Sequence, residues 1–232
     1  MNKPAEIAPG VYWLTKGSVN LYLCDEPDGL TLIDAGMPKQ QDLVWEALAD
    51  LGKRPSDLVR ILITHADIDH AGGAAAIQKK SGAAVFTSAA TAELLKRGDS
   101  PQHLPWLMQF VVDHFMGYGP VSEAAIRPCQ PGDDLSVLGG LQVLATPGHT
   151  MDHISFYNPT TGILFAGDAL QTRNNKLALN PKRITADMET AVQSGIKLLE
   201  CAPAVIACGH GDPMQSHGSD ELMSLFNELR NR

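Results

Sequence analysis

The chain has 232 residues, of which 44% are hydrophobic and 19% charged, and its formal net charge is −8 at pH 7. This length and apolar content are sufficient for a sizeable core, but no apolar run approaches the about 20 residues that a membrane-spanning helix requires. The negative charge, with no basic cluster longer than a pair such as Lys79 and Lys80, argues against a nucleic-acid surface.

Strands and helices alternate along most of the chain. Clusters of β-branched and aliphatic residues between turn-rich segments predict strands at 11–14, 20–24, 30–33, 59–63, 83–87, 141–145, 154–157, 163–166 and 204–208. Apolar residues at helical spacing predict helices at 40–51, 71–80, 91–97, 186–199 and 220–230, the last with Ser219 as its N-cap. The second and third strands, and the seventh and eighth, are predicted to form hairpins, and 171–185 is predicted to be a polar loop.

The stretch from residue 98 to residue 128 breaks this alternation. Several prolines and glycines stand there among the large apolar residues Trp106, Met108, Phe110, Phe115, Met116 and Tyr118. We predict a single domain over residues 1–232 with a helical or looped insertion at 98–128. Three roles remain open for its large side chains: packing against the core, an apolar wall over a site, or a subunit contact in a homodimer.

Potential metal ligands follow several of the predicted strands. Two imidazoles and two carboxylates stand within six residues after strand 59–63, and carboxylates this close together are costly to bury without a cation. Layered α/β proteins build their sites at the carboxyl ends of strands. Asp34 also ends a strand, and we expect it to orient a ligand histidine or to stabilise the end of a strand. The candidate ligands are His65, Asp67, Asp69, His70, His149, Asp168 and His210.

Five motifs, in their order along the chain, resemble the metallo-β-lactamase superfamily of hydrolases. They are Leu32-Ile-Asp34-Ala-Gly36, His65-x-Asp67-x-Asp69-His70, Pro147-Gly-His149-Thr150, Gly167-Asp168 and Gly209-His210-Gly211. The resemblance covers residues 9–230 apart from the predicted insertion. It implies an α/β fold, the four-layer αβ/βα sandwich of that superfamily, with two divalent metal ions at the junction of its sheet halves.

The resemblance also implies a mechanism. A hydroxide that bridges the ions, its pKa lowered by them, attacks a small-molecule substrate, and the implied reaction is hydrolysis of an ester, thioester, lactone, amide or phosphoester. Among these we expect an ester, thioester or lactone. We expect Asp69 and Asp168 to act in catalysis. The implied ligands are His65, Asp67 and His149 for the first ion, Asp69, His70 and His210 for the second, and Asp168 as the bridge.

Asp67 departs from the superfamily pattern, which usually has a histidine at this place. A carboxylate still reaches a metal at about 2.0–2.2 Å. Three carboxylates and one hydroxide would formally neutralise two divalent ions, which makes the ions weaker Lewis acids. Carboxylate ligands also shift the preference from zinc towards iron or manganese, so the metal is left as Zn, Fe or Mn.

Three other functions stay open at this point. Flavodiiron oxygen and nitric-oxide reductases carry a Glu where this chain has Asp67, but they need a flavodoxin-like domain for which 232 residues leave no room. β-Lactam hydrolysis normally calls for secretion, and the N-terminus lacks the apolar stretch of a signal peptide, so we expect a cytoplasmic protein. A non-enzymatic, metal-dependent binding module is the third.

The remaining histidines and loop residues are weaker candidates for the site. His153 is expected to pack beside a ligand rather than to bind metal. His103, His114 and His217 are expected to be surface or packing residues, with substrate contact as the alternative. Two interpretations stay open for the loop after Asp168: it is an ordinary solvated loop, or its positive residues contact an anionic substrate. Its residues are Asn174, Asn175, Lys176, Lys182 and Arg183.

Overall fold

The computed structural model describes residues 4–216 and 220–231, so the predictions for His217 and Ser219 lie outside the described residues. The first sheet follows the order of the chain: β1 (Ala5–Ala8), β2 (Val11–Lys16), β3 (Val19–Glu26), β4 (Gly29–Ile33), β5 (Leu58–Leu62), β6 (Ala84–Ser88) and β7 (Ile126–Cys129). The later strands are β8 (Asp134–Leu135), β9 (Leu141–Ala145), β10 (Ile154–Tyr157), β11 (Ile163–Gly167), β12 (Gln171–Arg173), β13 (Lys176–Ala178), β14 (Val205–Cys208) and β15 (Met214–Gln215). The second sheet has the order β15-β14-β11-β10-β9-β8, while β12 and β13 form a separate hairpin.

Parallel pairing brings the ends of the central strands to one edge of each sheet. In the first sheet β4 pairs with β5, β5 with β6 and β6 with β7, all parallel, and in the second sheet β11 pairs parallel with β14. The predicted hairpins are present as the antiparallel pairs β3–β4 and β10–β11. The loops that follow β4 and β5 therefore lie side by side, as do those that follow β11 and β14.

Helices cover the outer face of each sheet. They are α1 (Asp42–Asp50), α2 (Ile68–Ala71), α3 (Ala74–Ser81), α4 (Ala89–Arg97), α5 (Trp106–Phe115), α6 (Met188–Glu200) and α7 (Asp220–Arg230). Apolar residues of α1, α3 and α4 pack with the first sheet, and those of α6 and α7 pack with the second. In the described part of the chain, no helix combines the length and the apolar character that crossing a membrane would require.

Alternating side chains of the central strands bury both faces of each sheet. In β3, Leu21 and Leu23 point to the layer of α1, α3 and α4, whereas Tyr22 points to the second sheet. In β11, Phe165 points back to the first sheet, with its ring centroid 5.6 Å from that of Tyr22, and Leu164 points to α6 and α7. Helices, sheet, sheet and helices thus form four layers, which confirms the predicted α/β, four-layer αβ/βα sandwich.

The predicted insertion at 98–128 includes residues that belong to the core. Its last residues form the start of β7, which pairs with β6 at the edge of the first sheet, and Ile126 is buried there. Tyr118 is also buried, whereas Trp106 and Phe115 on α5 are 79% and 75% exposed. The prediction that the large apolar side chains pack against the core is therefore wrong for α5, because this helix exposes them to solvent. The apolar wall, the subunit contact and the single domain stay predictions.

The segment predicted as the polar loop 171–185 contains the β12–β13 hairpin. Asn174 and Asn175 form its two-residue turn, with φ of 51° and 59°. Asparagine tolerates this left-handed conformation better than most residues, which explains the pair of asparagines without a substrate contact. Lys182 and Arg183 follow in a short 3-10 turn and are exposed.

Candidate metal centre

Asp34 joins the loop after β4 to the loop after β5. It has a φ of 58°, and its carboxylate accepts hydrogen bonds from the backbone N–H of Thr64 at 2.8 Å and from the Thr64 hydroxyl at 2.9 Å. The same carboxylate accepts a hydrogen bond from Nδ1 of His70 at 2.8 Å. The expected role of Asp34, orienting a histidine of the site, is therefore confirmed.

The segment from His65 to His70 is also supported from the other side of the loop. Asp152 accepts hydrogen bonds from the backbone N–H of Ala66 at 3.0 Å and from the hydroxyl of Thr91 at 2.6 Å. The hydroxyl of Tyr118 donates to the carbonyl of Ala66 at 3.0 Å. These contacts satisfy the backbone of the turn, so its ligand side chains project from a rigid support.

Hydrogen bonds at Nδ1 direct three imidazoles towards one centre. His70 donates from Nδ1 to Asp34, and His210 donates from Nδ1 to a backbone carbonyl at 2.7 Å. Nδ1 of His65 lies 2.9 Å from the hydroxyl of Thr64, whose own proton goes to Asp34, so His65 donates there. Because these acceptors hold the Nδ1 proton, Nε2 is the nitrogen that offers a lone pair to a metal.

Asp168, which follows β11, lies at the middle of the cluster. Its Oδ1 is 3.2 Å from Nε2 of His70, and its Oδ2 is 3.3 Å from Nε2 of His210 and 3.5 Å from Nε2 of His149. His210 also lies 3.4 Å from a carboxylate oxygen of Asp69. One carboxylate thus contacts imidazoles of two neighbouring groups, as a bridging ligand would.

Asp67 lies beside three imidazoles. Its Oδ2 is 3.1 Å from Nε2 of His149, 3.2 Å from Nε2 of His103 and 3.5 Å from Nε2 of His65. The structure therefore brings together all seven residues that the sequence predicted as ligands, and it adds His103. A surface position for His103 is wrong, because its side chain is 2% exposed and lies against Asp67, whereas its expected packing role and substrate contact stay predictions.

The donor set fits metal ions. Several buried ligand atoms among the described residues have no hydrogen-bond partner: Nε2 of His65, His70 and His103, and Oδ1 of Asp168. Ligand atoms of a tetrahedral site with bonds of 2.0–2.2 Å stand about 3.3–3.6 Å apart. The contacts around Asp67 and Asp168, at 3.1–3.5 Å, are close to this spacing. Three groups have ligand atoms within 4.8 Å of one another: His65, His149 and Asp168; Asp67, His103 and His149; Asp69, His70 and His210.

Charge is balanced by protons in the metal-free site. Burial alone would raise the pKa of the Asp168 carboxyl, but His210 and His70 hold that pKa well below its usual value. Burial lowers the pKa of both imidazoles, yet Asp168 raises the pKa of His70 well above its usual value and that of His210 to about 10. The imidazoles therefore carry protons that a bound cation would replace.

The pKa of Asp67 follows the same pattern. Burial would raise this pKa, but hydrogen bonding with His103, His149 and His65 lowers it well below the usual value. His103 responds in the opposite direction: burial lowers its pKa, and the stronger combined effect of its neighbours, Asp67 first, raises it. The carboxylate of Asp67 is thus ionised and faces the same centre as the imidazoles.

His153 and Asn180 hold Asp168 in position through hydrogen bonds. Nε2 of His153 accepts a hydrogen bond from the backbone N–H of Asp168 at 2.9 Å, and its Nδ1 contacts the hydroxyl of Thr146 at 2.8 Å. Both ring nitrogens are used, which confirms packing beside a ligand for His153. The amide of Asn180 donates to the carbonyl of Asp168 at 2.8 Å and to its Oδ2 at 3.1 Å.

Asp152 and Asn180 were not predicted from the sequence, and His103 was predicted only as a surface or packing residue with substrate contact as the alternative. Asp152 stands three residues after His149, and this proximity was the available signal. Asn180 and His103 lie in segments without a local pattern, and their positions depend on long-range packing. His114, by contrast, is exposed on α5, where its Nδ1 contacts a backbone carbonyl within the helix, as expected for a surface residue.

Known proteins resemble this chain in sequence and in fold. The sequence profile of the metallo-beta-lactamase superfamily matches residues 14–210. The probable metallo-hydrolase YflN of Bacillus subtilis (strain 168) is 28% identical over 261 residues, which cover 97% of this chain and 92% of that protein. A hydroxyacylglutathione hydrolase of Idiomarina loihiensis is 33% identical over 150 residues, 63% of this chain and 44% of that protein, so the match spans less than half of the relative.

The fold comparison agrees with the sequence comparison. A solved structure described as the first B3 metallo-beta-lactamase with an active-site glutamic acid superposes with a TM-score of 0.76. It is 23% identical and covers 100% of this chain and 88% of its own, a similarity that concerns the fold. The profile match extends over most of the chain, and the four layers and the ligand cluster agree with it. The chain therefore belongs to the metallo-beta-lactamase superfamily of metal-dependent hydrolases.

Proposed function

We propose that this protein is a dinuclear metallohydrolase that cleaves a thioester, ester or lactone. The observation that carries the proposal is the position of Asp168. Its Oδ1 faces His70 and its Oδ2 faces both His210 and His149, so the carboxylate contacts imidazoles of both proposed ligand sets. A carboxylate shared in this way would join two ions into one centre.

The proposed ligand sets are those implied by the sequence. Buried Nε2 and carboxylate atoms without hydrogen-bond partners support them, because such atoms are costly to bury unless a cation is bound. The sets are His65, Asp67 and His149 for one ion, Asp69, His70 and His210 for the other, and Asp168 between them.

The protein side of the reaction follows from exposure and charge. Divalent ions at this site would polarise the substrate carbonyl and lower the pKa of water to about 7. The side chains of Asp69 and His210 are 28% and 22% exposed, against 4% for Asp168, so water and substrate approach from the side of Asp69. Asp69 orients the attacking water and accepts its proton, while the buried Asp168 holds the two ligand groups in register.

A thioester is the preferred substrate class within this proposal. Water adds its oxygen to the acyl carbon, the carbon–sulfur bond breaks, and the proton passes to the leaving thiolate. Relatives named as hydroxyacylglutathione hydrolases support this choice, since several of them match a large part of the chain. Esters and lactones need the same attack on a carbonyl carbon and differ only in the leaving oxygen.

The test is a metal analysis followed by a substrate screen on one preparation. Protein purified without added metal should contain close to two divalent ions per chain and should hydrolyse at least one member of a thioester, ester and lactone panel. A chromogenic β-lactam and a visible absorption spectrum belong to the same screen. Full metal loading without turnover of any acyl substrate would contradict the proposed reaction, and a redox-active iron spectrum would favour the diiron alternative.

Asp168 provides a second, independent test. In Asp168→Ala the two groups lose their shared carboxylate, so we expect at most one tightly bound ion per chain by elemental analysis after desalting. Hydrolysis should fall with it, by about 100-fold or more. Asp50, an exposed carboxylate at the end of α1, offers the matched control Asp50→Ala, which should keep both ions. Two retained ions in Asp168→Ala would defeat the bridging role.

A further inference from the structure

His103 lies in the centre although it belongs to the segment that precedes α5. Its side chain is 2% exposed, and its Nε2 stands 3.2 Å from Oδ2 of Asp67. Its ring is edge-on to that of His149, with centroids 5.0 Å apart. The sequence around it, from Pro101 to Pro105, contains no metal-binding motif.

The orientation of His103 is that of a ligand. Its Nε2 is buried, meets the geometry of no hydrogen bond, and stands 3.2 Å from Oδ2 of Asp67. Nδ1 faces the carbonyl of Pro101 at 3.4 Å, which places the ring proton on that side. Nε2 thus faces the space that Asp67 and His149 also face, where it would offer a lone pair once a cation displaces its proton.

α5 holds His103 in this place through one buried amide. Oε1 of Gln109 accepts hydrogen bonds from the backbone N–H groups of His103 and Leu104, each at 3.1 Å. Nε2 of Gln109 donates to Asp113, one turn later on the helix, at 2.9 Å. The loop that carries His103 is therefore fastened to the helix rather than free, as a metal ligand requires.

We propose that His103 is a metal ligand and that its Nε2 binds the ion held by Asp67 and His149. The inference rests on the metal centre proposed above, but it adds a ligand from the segment between α4 and β7. The motif from His65 to His70 lacks an imidazole at position 67, and the longer His103 side chain brings its Nε2 to 3.2 Å from the carboxylate there. The ion would then be bound by the imidazole of His103 as well as by the shorter carboxylate of Asp67.

Cobalt(II) titration of the chelator-treated full chain measures this ligand directly. His103→Ala should weaken one of two cobalt equivalents on the order of 100-fold, since loss of supporting residues alone costs 10–100-fold. The visible spectrum of that equivalent should change, because its coordination changes. His114→Ala is the matched control: it removes an imidazole from α5 outside the site, and both equivalents should remain as in the wild type.

Chemical rescue separates ligation from an indirect role. Free imidazole should enter the space left in His103→Gly and restore the wild-type cobalt spectrum. The melting temperature of each metal-free variant shows whether the fold is retained. Unchanged affinity and spectrum in His103→Ala would overturn the proposal, and so would weaker binding with an unchanged spectrum, which would mean that His103 only positions Asp67.

Gln109 offers a variant that leaves the imidazole in place. Gln109→Leu should release the loop and weaken the same cobalt equivalent by about 10-fold. Gln102→Leu is its control, because Gln102 also bonds Asp113 but does not hold the backbone of His103. If Gln109→Leu and Gln102→Leu bind cobalt with equal affinity, Gln109 does not position His103. If these cobalt effects are found and no acyl substrate is cleaved, the proposed function fails while the ligand stands.

Discussion

The residue that sets the charge of this site is Asp67. Three carboxylates, Asp67, Asp69 and Asp168, lie within one cluster, so two divalent ions would retain less positive charge than in a site with histidine at position 67. Asp67 contacts three imidazoles rather than solvent, and its pKa is held well below the usual value by them against the effect of burial. The substitution of a single residue thereby changes the electrostatics of the whole centre.

Asp67→His should keep the fold and shift the metal preference towards zinc, because an imidazole replaces a hard oxygen ligand. The measurement is the metal content of protein purified without added metal, followed by competition between zinc and manganese. Asp67→Ala, which removes the ligand altogether, serves as the reference. Identical metal content and activity in both variants and the wild type would show that Asp67 is not a ligand.

Gly209 leaves the space that the ligand side chains occupy. A Cβ at this position would stand 2.3 Å from Oδ1 of Asp168 and 2.5 Å from Cε1 of His70. Gly209→Ala should therefore push both side chains by about 1 Å and weaken metal binding by about 100-fold, while the backbone remains in place. Metal affinity by chelator competition tests this, with Gly117→Ala as control because nothing lies within 4 Å of its Cβ. Wild-type affinity in Gly209→Ala would contradict it.

At the scale of elements, α6 determines where His149 stands. The backbone N–H of Ala186 donates to the carbonyl of His149 at 2.9 Å, and that of Asp187 donates to the carbonyl of Gly148 at 3.0 Å. The side chain of Asp187 caps the first turn of the helix by accepting hydrogen bonds from the backbone N–H groups of Glu189 and Thr190. The loop after β9 and the start of α6 therefore form one unit.

Gly148→Ala should disrupt this unit. Gly148 has a φ of 140°, and a Cβ there would stand 2.4 Å from the backbone of Ala191 in α6. The strain and the clash should lower the free energy of unfolding by about 3 kcal/mol, measured by urea denaturation. Gly139→Ala has a positive φ of 77° without a close neighbour and should cost about 1 kcal/mol. Similar losses in the two variants would exclude the clash with α6.

At the scale of the molecule, the site joins the two sheets. Asp34 and the segment from His65 to His70 follow strands of the first sheet, and His149, Asp168 and His210 follow strands of the second. The sheets also meet at the site through the backbone N–H of Asn20, which donates to the carbonyl of Gly209 at 2.9 Å. Metal ions bound here would hold both halves, so metal binding and stability are linked.

Metal binding should release protons. In the metal-free protein the pKa of His210 is raised to about 10 and that of His70 lies well above its usual value, because Asp168 outweighs the lowering effect of burial. Both imidazoles must therefore lose a proton to bind metal near neutral pH, and His103, whose pKa is also raised, would add to the release, so a net number of protons should leave per chain. Calorimetric titration in two buffers with different ionisation enthalpies measures this number.

The sign of the pH dependence follows from the same shifts. The apparent metal affinity should rise as the pH increases from 6 and level off above about 10, where His210 is neutral without metal. His153 serves as an internal contrast: burial and the nearby imidazoles lower its pKa well below the usual value, so it contributes no proton. Proton uptake, or no exchange at pH 7.5, would contradict the prediction.

The sequence by itself was sufficient for the fold class and for the residues that converge. The central strands could be predicted because a strand that is buried on both faces is a continuous apolar run. The histidines that follow such runs, His65, His149 and His210, could be identified in the same local way. Five ordered motifs then indicated the superfamily. Each of these features is encoded within a few consecutive residues, and for this reason it was readable without coordinates.

Only the tertiary structure decided what the segment at 98–128 does. Its last strand belongs to the first sheet, its helix α5 exposes Trp106 and Phe115, and its loop brings His103 to Asp67. The contact between His103 and Asp67 spans residues far apart in the chain, and it depends on a buried amide at Gln109 that no local pattern identifies. The physical reason is that pairing at a sheet edge and packing over a site are long-range choices, which local periodicity does not encode.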